Sequence, residues 1–80
     1  MDSSLLVVIP AFNEEAVLGR TLDALLQEVP SNQVLVVSDG STDRTSQIVL
    51  DREINLLELP FNLGVGAAMR SGFQYAKENG

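Results

Sequence analysis

The sequence predicts an α/β domain: a parallel three-stranded sheet in the order βαβαβα, with helices on both faces of the sheet. Three apolar runs of strand composition, at residues 5–9, 34–37 and 54–59, alternate with segments whose apolar residues have helical spacing. This alternation is typical of parallel sheets with crossover helices. Polar or glycine residues also follow each run within four positions, where loops of such a sheet carry ligands.

The first strand and helix are predicted from an unbroken apolar run and a stripe. Residues 5–9 are apolar, and Pro10 is expected to end the strand. Asn13 is a favourable N-cap, so the helix is expected to begin there and run for about four turns. Its apolar stripe consists of Leu18, Leu22, Leu25, Leu26 and Val29.

The second strand leads into a turn of small and polar residues. Asp39 follows the apolar run, and Gly40 allows a tight reversal of the chain. Ser41 or Thr42 is expected to cap the second helix, and Asp43 suits the positive end of its dipole. The inner face of this helix is predicted to consist of Thr45, Ile48 and Val49, and residues 51–53 are interpreted as its solvated end.

The third strand and helix show weaker patterns. Asn55 and Glu58 interrupt the apolar run of the strand, which indicates a less buried, edge position. The helix that follows carries one apolar stripe, made of Val65, Met69, Phe73 and Ala76.

Composition excludes several kinds of chemistry. The 80 residues carry a formal charge of −6, which makes nucleic acid a poor partner. The sequence contains neither cysteine nor histidine, so disulfides, thiol chemistry and imidazole bases are excluded. Any metal would be held by oxygen, which favours Mg²⁺ or Mn²⁺. The sequence shows no targeting or membrane-spanning segment, so we expect a cytoplasmic location.

The candidate site lies beyond the carboxyl ends of the three strands, which meet at one edge of a parallel sheet. An aromatic ring, carboxylates and helix N-termini there suit a nucleotide. A turn without ligand explains residues 39–45 equally well, and Asn62 with its glycines also fits a turn that packs a helix on the sheet. The candidate binding residues are Pro10, Ala11, Phe12, Glu14, Asp39, Gly40, Asn62 and Gly64.

Two common phosphate-binding motifs do not fit. Gly64 and Gly66 resemble the opening of a dinucleotide fingerprint, but Met69 replaces the third glycine and the loop follows the third strand. The Gly-Lys-Ser/Thr core of a Walker A motif is absent.

Three blocks, at residues 7–15, 36–45 and 62–68, closely resemble the start of family 2 glycosyltransferases. The third block looks most like the branch that transfers sugar from a nucleotide donor to polyprenyl phosphate, which includes dolichyl-phosphate mannose synthase. The resemblance implies a Rossmann-like N-terminal half of a GT-A fold that binds a UDP- or GDP-linked sugar. It places Pro10, Phe12 and Glu14 along the base and ribose, and implies that Asp39 hydrogen-bonds the nucleoside.

The chain departs from the family pattern at two positions and in extent. Phe12 stands where tyrosine is usual, and Ser38 stands where a first aspartate often precedes Asp39. Family members continue into an Asp-x-Asp metal site and an acceptor half with the catalytic base, and residues 1–80 contain no Asp-x-Asp. We therefore expect a single partial domain, the front portion of an inverting enzyme. Its catalytic residues, its Mg²⁺ or Mn²⁺ ligands, its lipid-phosphate acceptor site and any attachment to the cytoplasmic face of a membrane would lie outside this chain.

Two other hypotheses stay open from the sequence. One is a non-catalytic, doubly wound α/β binding or regulatory module, such as a receiver. A receiver would carry a phosphorylatable aspartate at the end of its third strand, where this chain has Leu59, Pro60 and Phe61. The other is that the isolated chain has no function and associates through uncovered edges and faces of a partial sheet.

Overall fold

The computed structural model describes residues 6–79 and contains one parallel sheet with the strand order β1-β2-β3. The strands are β1 (Val7–Ala11), β2 (Val34–Asp39) and β3 (Asn55–Leu59). In the observed register, Ile9 of β1 pairs with Val36 of β2, which in turn pairs with Leu56 of β3. The predicted parallel three-stranded sheet is confirmed. Residue 5, which the sequence also assigned to the first strand, lies outside the described residues.

The helices cover both faces of the sheet, as predicted. They are α1 (Leu18–Leu25), α2 (Thr45–Leu50) and α3 (Val65–Asn79), with a short 3-10 turn at Ser31–Gln33 before β2. The helices α1 and α2 share one apolar core with one face of the sheet, and α3 packs on the opposite face. All six residues of β2 are buried, because the middle strand is covered on both faces.

The two cores follow the alternation of side chains along β2. Val34 and Val36 pack with α1 and α2, whereas Leu35 and Val37 pack on the other face beneath α3. By the same alternation, Asp39 at the end of β2 points to the α3 side. The position of this carboxylate is therefore set by the register of a buried strand.

The first loop and helix differ from the sequence prediction. Pro10 lies inside β1, opposite Val37, instead of ending it. Among residues 6–79, β1 pairs only with β2, and an edge strand tolerates a residue without an N–H donor. The helix α1 begins at Leu18, so Asn13 is not its N-cap and the helix is shorter than predicted. The apolar side of the predicted stripe is confirmed, since Leu18 and Leu22 are buried and the other three residues pack against the same core, although Leu26 and Val29 lie beyond the end of α1.

The second helix has the predicted inner face and a different cap. Thr45 and Val49 are buried, and Ile48 packs against the same core. Neither Ser41 nor Thr42 caps the helix. Instead, a carboxylate oxygen of Asp43 accepts a hydrogen bond from the N–H of Thr45, the first residue of α2, at 2.8 Å.

The segment 51–53 was interpreted as a solvated helix end, which is wrong for Arg52. Its guanidinium forms a two-pronged ion pair with Asp23 of α1, with Nε and Nη2 at 2.8 Å and 3.2 Å from the carboxylate oxygens. Nη1 also donates to the carbonyl of Ile48 at 2.9 Å. The ion pair therefore joins α1 to the end of α2 across the surface of the domain.

The third helix packs on the sheet mainly through small residues, so two members of the predicted stripe, Val65 and Phe73, are wrong as packing residues, whereas Met69 and Ala76 are half-buried. Ala68 is fully buried, and a Cβ placed on Gly72 would lie 2.8 Å from Cγ2 of Val37. Val65 and Phe73 are 68% and 57% exposed. The helix approaches the strands closely because small residues face them, and Tyr75 packs against the same core, while Val65 and Phe73 stay exposed.

The third strand has the predicted edge character, since Asn55 and Glu58 are exposed and β3 pairs only with β2 in the described part of the chain. None of the helices within residues 6–79 combines the length and apolar character needed to cross a bilayer.

Candidate functional site

A small cavity of about 90 Å³ opens beyond the carboxyl ends of β1 and β2. Its lining residues are Pro10, Ala11, Phe12, Glu14, Asp39 and Val65. Five of these six were candidates from the sequence, and they come from β1, the loop after it and the end of β2. The structure therefore brings the Phe12 ring and the Asp39 carboxylate to the same cavity at the same edge of the sheet.

Asp39 is 4% exposed, and its carboxylate is held by the loop before α3. Its Oδ1 accepts a hydrogen bond from the N–H of Leu63 at 2.8 Å, and its Oδ2 accepts one from the N–H of Gly64 at 2.9 Å. The negative charge thus lies at the start of α3, where the helix dipole favours it. Asp39 consequently has a structural role in addition to lining the cavity.

The other three candidates, Gly40, Asn62 and Gly64, do not line the cavity. Gly40 has φ +76°, and a Cβ there would lie 2.4 Å from both the Asn62 nitrogen and the Phe61 carbonyl carbon. Gly40 is thus the point where the loop after β2 touches the loop after β3. Gly64 donates to Asp39 and also has a positive φ, of +93°.

The loop after β1 supplies an aromatic ring and a second carboxylate. The Phe12 side chain is 44% exposed, so one part of the ring is available to a ligand. The Glu14 side chain folds back, and its Oε1 accepts a hydrogen bond from the N–H of Phe12 at 3.3 Å. An aromatic surface beside carboxylate oxygens can bind a planar heterocycle that carries N–H or hydroxyl donors.

Asn13 links this loop to the loop before α2. Its side-chain Oδ1 accepts hydrogen bonds from the backbone N–H groups of Thr42 at 2.8 Å and Asp43 at 3.3 Å. Its own N–H donates to Oγ of Ser41 at 3.1 Å. The amide therefore joins two loops that are 28 or more residues apart in sequence.

Further hydrogen bonds run between the same two loops. The N–H of Glu14 donates to Oγ1 of Thr45 at 2.8 Å, and the N–H of Glu15 donates to Oδ2 of Asp43 at 3.2 Å. In return, the N–H of Arg44 donates to Oε1 of Glu15 at 3.2 Å. We call this set of contacts the loop clasp; its side chains are those of Asn13, Glu15, Ser41, Asp43 and Thr45.

The loop clasp lowers the pKa of one carboxyl group. Desolvation raises the pKa of Asp43, but hydrogen bonds from the Thr45 hydroxyl, the Thr45 backbone and the Glu15 backbone together outweigh it. The net pKa of Asp43 therefore lies below its ordinary value of 3.8. These donors stabilise the charged carboxylate, which keeps the loop clasp intact at neutral pH.

Ser38 lies on the other side of the sheet from Asp39. It is 1% exposed, and its Oγ accepts a hydrogen bond from Oγ of Ser46 at 3.1 Å, on α2. Where an aspartate often occurs in the family that the sequence resembles, this chain has a buried hydroxyl group that contacts α2.

Sequence reasoning missed Val65 as a cavity residue and the loop clasp as its support. The sequence places Val65 on the packing stripe of α3. No local signal distinguishes a residue that faces the sheet from one that lines the cavity. Asn13 is explained locally as a helix cap and Asp43 as a charge at the positive end of a helix dipole, so only the tertiary structure shows that they link two neighbouring loops.

The donor set at this cavity does not fit a divalent metal ion. Within residues 6–79, no group of three or more Asp, Glu, His or Cys side chains is arranged to hold a metal. Both oxygens of Asp39 already accept backbone hydrogen bonds. The residues described here therefore do not themselves form a site for the metal that such a fold would use.

These features define a Rossmann-like α/β unit with its cavity at the carboxyl ends of the strands, where nucleotide-binding members of this class hold their ligands. Residues 6–79 match the sequence model of the family described as Glycosyl transferase family 2. The chain belongs to this family.

The chain is also similar in sequence to individual proteins. The chain is 41% identical over 70 residues to the uncharacterized protein MJ1222 of Methanocaldococcus jannaschii, covering 88% of this chain and 28% of that protein. It is 37% identical over 80 residues to the dolichyl-phosphate beta-glucosyltransferase ALG5A of Trichomonas vaginalis, with coverage of 82% and 25%. It is 35% identical over 80 residues to the undecaprenyl-phosphate mannosyltransferase of Micrococcus luteus, with coverage of 94% and 33%. The chain thus spans about a quarter to a third of the length of these relatives.

Proposed function

We propose that residues 1–80 form the nucleotide-binding front portion of an inverting glycosyltransferase and bind the nucleotide of a UDP- or GDP-linked sugar donor. The observation that carries the proposal is the shared cavity, which is lined both by Phe12 of the loop after β1 and by Asp39 at the end of β2. Membership of glycosyl transferase family 2 supports it independently.

The side chains of the cavity divide the recognition of a nucleoside between them. The exposed part of the Phe12 ring contacts the base, and Pro10 and Ala11 provide the adjoining apolar wall. Glu14 and Asp39 accept hydrogen bonds from imino or ribose hydroxyl groups. Asp39 retains this capacity because an ionised carboxylate has about four lone-pair sites and the loop before α3 uses two of them.

The diphosphate is not bound by the loops of this cavity. The N–H groups of Thr42, Asp43 and Arg44 before α2 donate to side chains of the other loop, and those before α3 donate to Asp39. The chain also carries a net charge of −6, which repels an anionic ligand. We therefore place the neutralising groups, including the ligands of Mg²⁺ or Mn²⁺, outside residues 1–80.

The names of two relatives suggest the acceptor. They are described as a dolichyl-phosphate glucosyltransferase and an undecaprenyl-phosphate mannosyltransferase, both of which act on a polyprenyl phosphate. We propose the same acceptor class for the protein that contains this chain, with transfer at the cytoplasmic face of a membrane. The acceptor oxygen would attack the anomeric carbon and the nucleoside diphosphate would leave, which inverts the configuration.

The test is nucleotide binding by the full-length protein, measured by calorimetry with UDP and GDP. Phe12→Ala should weaken binding of the preferred nucleotide about fivefold or more, because contact between a base and an aromatic ring contributes about 1–3 kcal/mol. Phe73→Ala is the matched control, since this ring is exposed on α3 and does not line the cavity. Equal affinities for the wild type and Phe12→Ala would refute the placement of the base.

A transfer assay with UDP-glucose, GDP-mannose and undecaprenyl phosphate tests the remainder of the proposal. We expect a glycosyl phospholipid whose anomeric configuration is inverted relative to the donor. Nucleotide binding without transfer to any lipid phosphate would favour the non-catalytic binding module instead.

A further inference from the structure

We propose that Asn13 is a positioning residue for the nucleotide cavity: through the loop clasp it holds Phe12 and Glu14 in place opposite Asp39. The inference rests on the proposed function. Asn13 does not line the cavity, although it stands between two residues that do.

The contacts of Asn13 show where its side chain acts. Its Oδ1 reaches the N–H groups of Thr42 and Asp43 at 2.8 Å and 3.3 Å, in the loop before α2. Phe12 and Glu14 on either side of it both line the cavity. The residue therefore anchors the middle of the loop that carries the aromatic ring and one carboxylate.

The backbone at this position also selects asparagine. Asn13 has φ +48°, in the left-handed region that most side chains disfavour and that glycine and asparagine adopt most readily. Glycine could adopt this conformation but has no oxygen for the two N–H donors. Asparagine satisfies both the backbone and the hydrogen bonds.

The two sides of the cavity differ in how firmly the fold holds them. Asp39 ends a fully buried strand and is tied to the start of α3, so its position does not depend on the loop clasp. Phe12 and Glu14 lie in an exposed loop whose links to the rest of the domain include the contacts of Asn13. Losing these contacts frees the ring relative to the carboxylate and raises the cost of ordering the site when a ligand binds.

Three variants of the full-length protein separate the conformational and hydrogen-bonding roles. Asn13→Gly keeps access to the positive φ and removes the oxygen. Asn13→Asp keeps an acceptor oxygen and should therefore retain most of the nucleotide affinity of the wild type. Asn32→Gly is the matched control, because Asn32 is an exposed asparagine in the turn before β2, at the opposite edge of the sheet.

The first measurement is the affinity for UDP and GDP at a temperature where every variant is folded. We expect Asn13→Gly to weaken binding roughly five- to tenfold, as the loss of two solvent-accessible hydrogen bonds implies. Asn13→Asp and Asn32→Gly should stay within about twofold of the wild type. A residue that only stabilises the fold would leave these affinities unchanged, so an unaltered affinity in Asn13→Gly would overturn the proposal.

The second measurement needs no ligand and separates this inference from the proposed function. Amide hydrogen exchange of residues 11–17 and 40–45 should speed up together in Asn13→Gly, while exchange of β2 stays slow. Unchanged exchange in both loops would refute the loop clasp as a unit. A wild-type protein that binds neither UDP nor GDP would refute the proposed function and the effect on nucleotide affinity, whereas coupled exchange would still support the linkage of the two loops.

Discussion

The carboxylate of Asp39 connects the end of β2 to the start of α3, with its Oδ2 2.9 Å from the backbone nitrogen of Gly64 and its Oδ1 2.8 Å from that of Leu63. A residue at the end of the central strand thus fixes the loop that begins the helix on the α3 face. Because the same carboxylate lines the cavity, changes at this position affect both the stability of the fold and the proposed binding of a nucleotide.

Replacing the carboxylate by an amide should therefore destabilise the protein. In Asp39→Asn, one oxygen can still accept an N–H, but the amide NH₂ group faces the second N–H donor. An unsatisfied, largely buried donor costs about 1–3 kcal/mol, so we expect a loss of this size in the free energy of unfolding. Urea denaturation measures it. Asp51→Asn serves as control, since Asp51 is exposed and its carboxylate accepts a hydrogen bond from the side chain of Gln47 at the surface; an equal loss in both variants would contradict the prediction.

The two glycines with positive φ should respond differently to alanine. In Gly40→Ala, the new Cβ would lie 2.4 Å from backbone atoms of Phe61 and Asn62, which cannot move without displacing the loop after β3. In Gly64→Ala, the Cβ would meet nothing within 4 Å, so only the unfavourable φ of +93° matters. We expect about 1–2 kcal/mol of destabilisation for Gly64→Ala and clearly more for Gly40→Ala. Thermal unfolding of both variants gives the comparison, and equal losses would show that the loops separate easily.

Two glycines of α3 give a second matched pair. A Cβ on Gly72 would lie 2.8 Å from Cγ2 of Val37 and 2.9 Å from Cγ1 of Val8, so Gly72→Ala should cost about 1–3 kcal/mol through overpacking. Gly66 lies on an open part of the same helix, where the nearest atom is the flexible end of Arg70 at 3.8 Å. Gly66→Ala should be neutral or stabilise by up to about 1 kcal/mol, because alanine favours the helix. A stabilised Gly72→Ala would mean that α3 can move away from the sheet without loss.

Acid should weaken the contacts of two aspartates. The Arg52 guanidinium lowers the pKa of Asp23, and the balance of desolvation against hydrogen bonds lowers that of Asp43. A depressed pKa in the folded state means that the unfolded chain binds protons more readily. The stabilisation is therefore complete above the ordinary pKa of 3.8 and is lost as the pH falls through the lower value of the folded state.

This pH dependence has a specific readout. The free energy of unfolding of the wild type should exceed that of Asp43→Asn at pH 6, and the difference should shrink below about pH 4. Urea denaturation between pH 2.5 and 6 measures both proteins. A difference that stays constant over this range would show that the Asp43 charge contributes nothing to the loop clasp.

Much of the fold follows from local patterns in the sequence. The apolar runs predicted all three strands, and the spacing of Leu18 and Leu22 predicted the buried face of α1. Asn55 and Glu58 correctly indicated an edge strand. These signals are local because a strand buried on both faces needs a continuous apolar run, and a helix that covers a sheet needs a stripe.

The errors arose where a polar or small residue has a local explanation but makes its main contact with a distant segment of the chain. Asn13 was predicted as the cap of its own helix, but it bonds the loop before α2 instead. The face of α3 was predicted from its large apolar residues, although Ala68 and Gly72 make the contact with the sheet. In both cases the nearest partner in space belongs to a different segment of the chain.

By itself, the sequence determined the order of the elements, the parallel sheet and the collection of candidate residues beyond the strand ends, because all of these depend on side-chain periodicity and on turn residues. Only the tertiary structure decided which N–H groups Asp39 and Asn13 would bind and which face of α3 would meet the strands. The physical reason is that these hydrogen bonds join residues that are 24 or more positions apart in the sequence and are brought together by the crossovers, and no local pattern encodes that pairing.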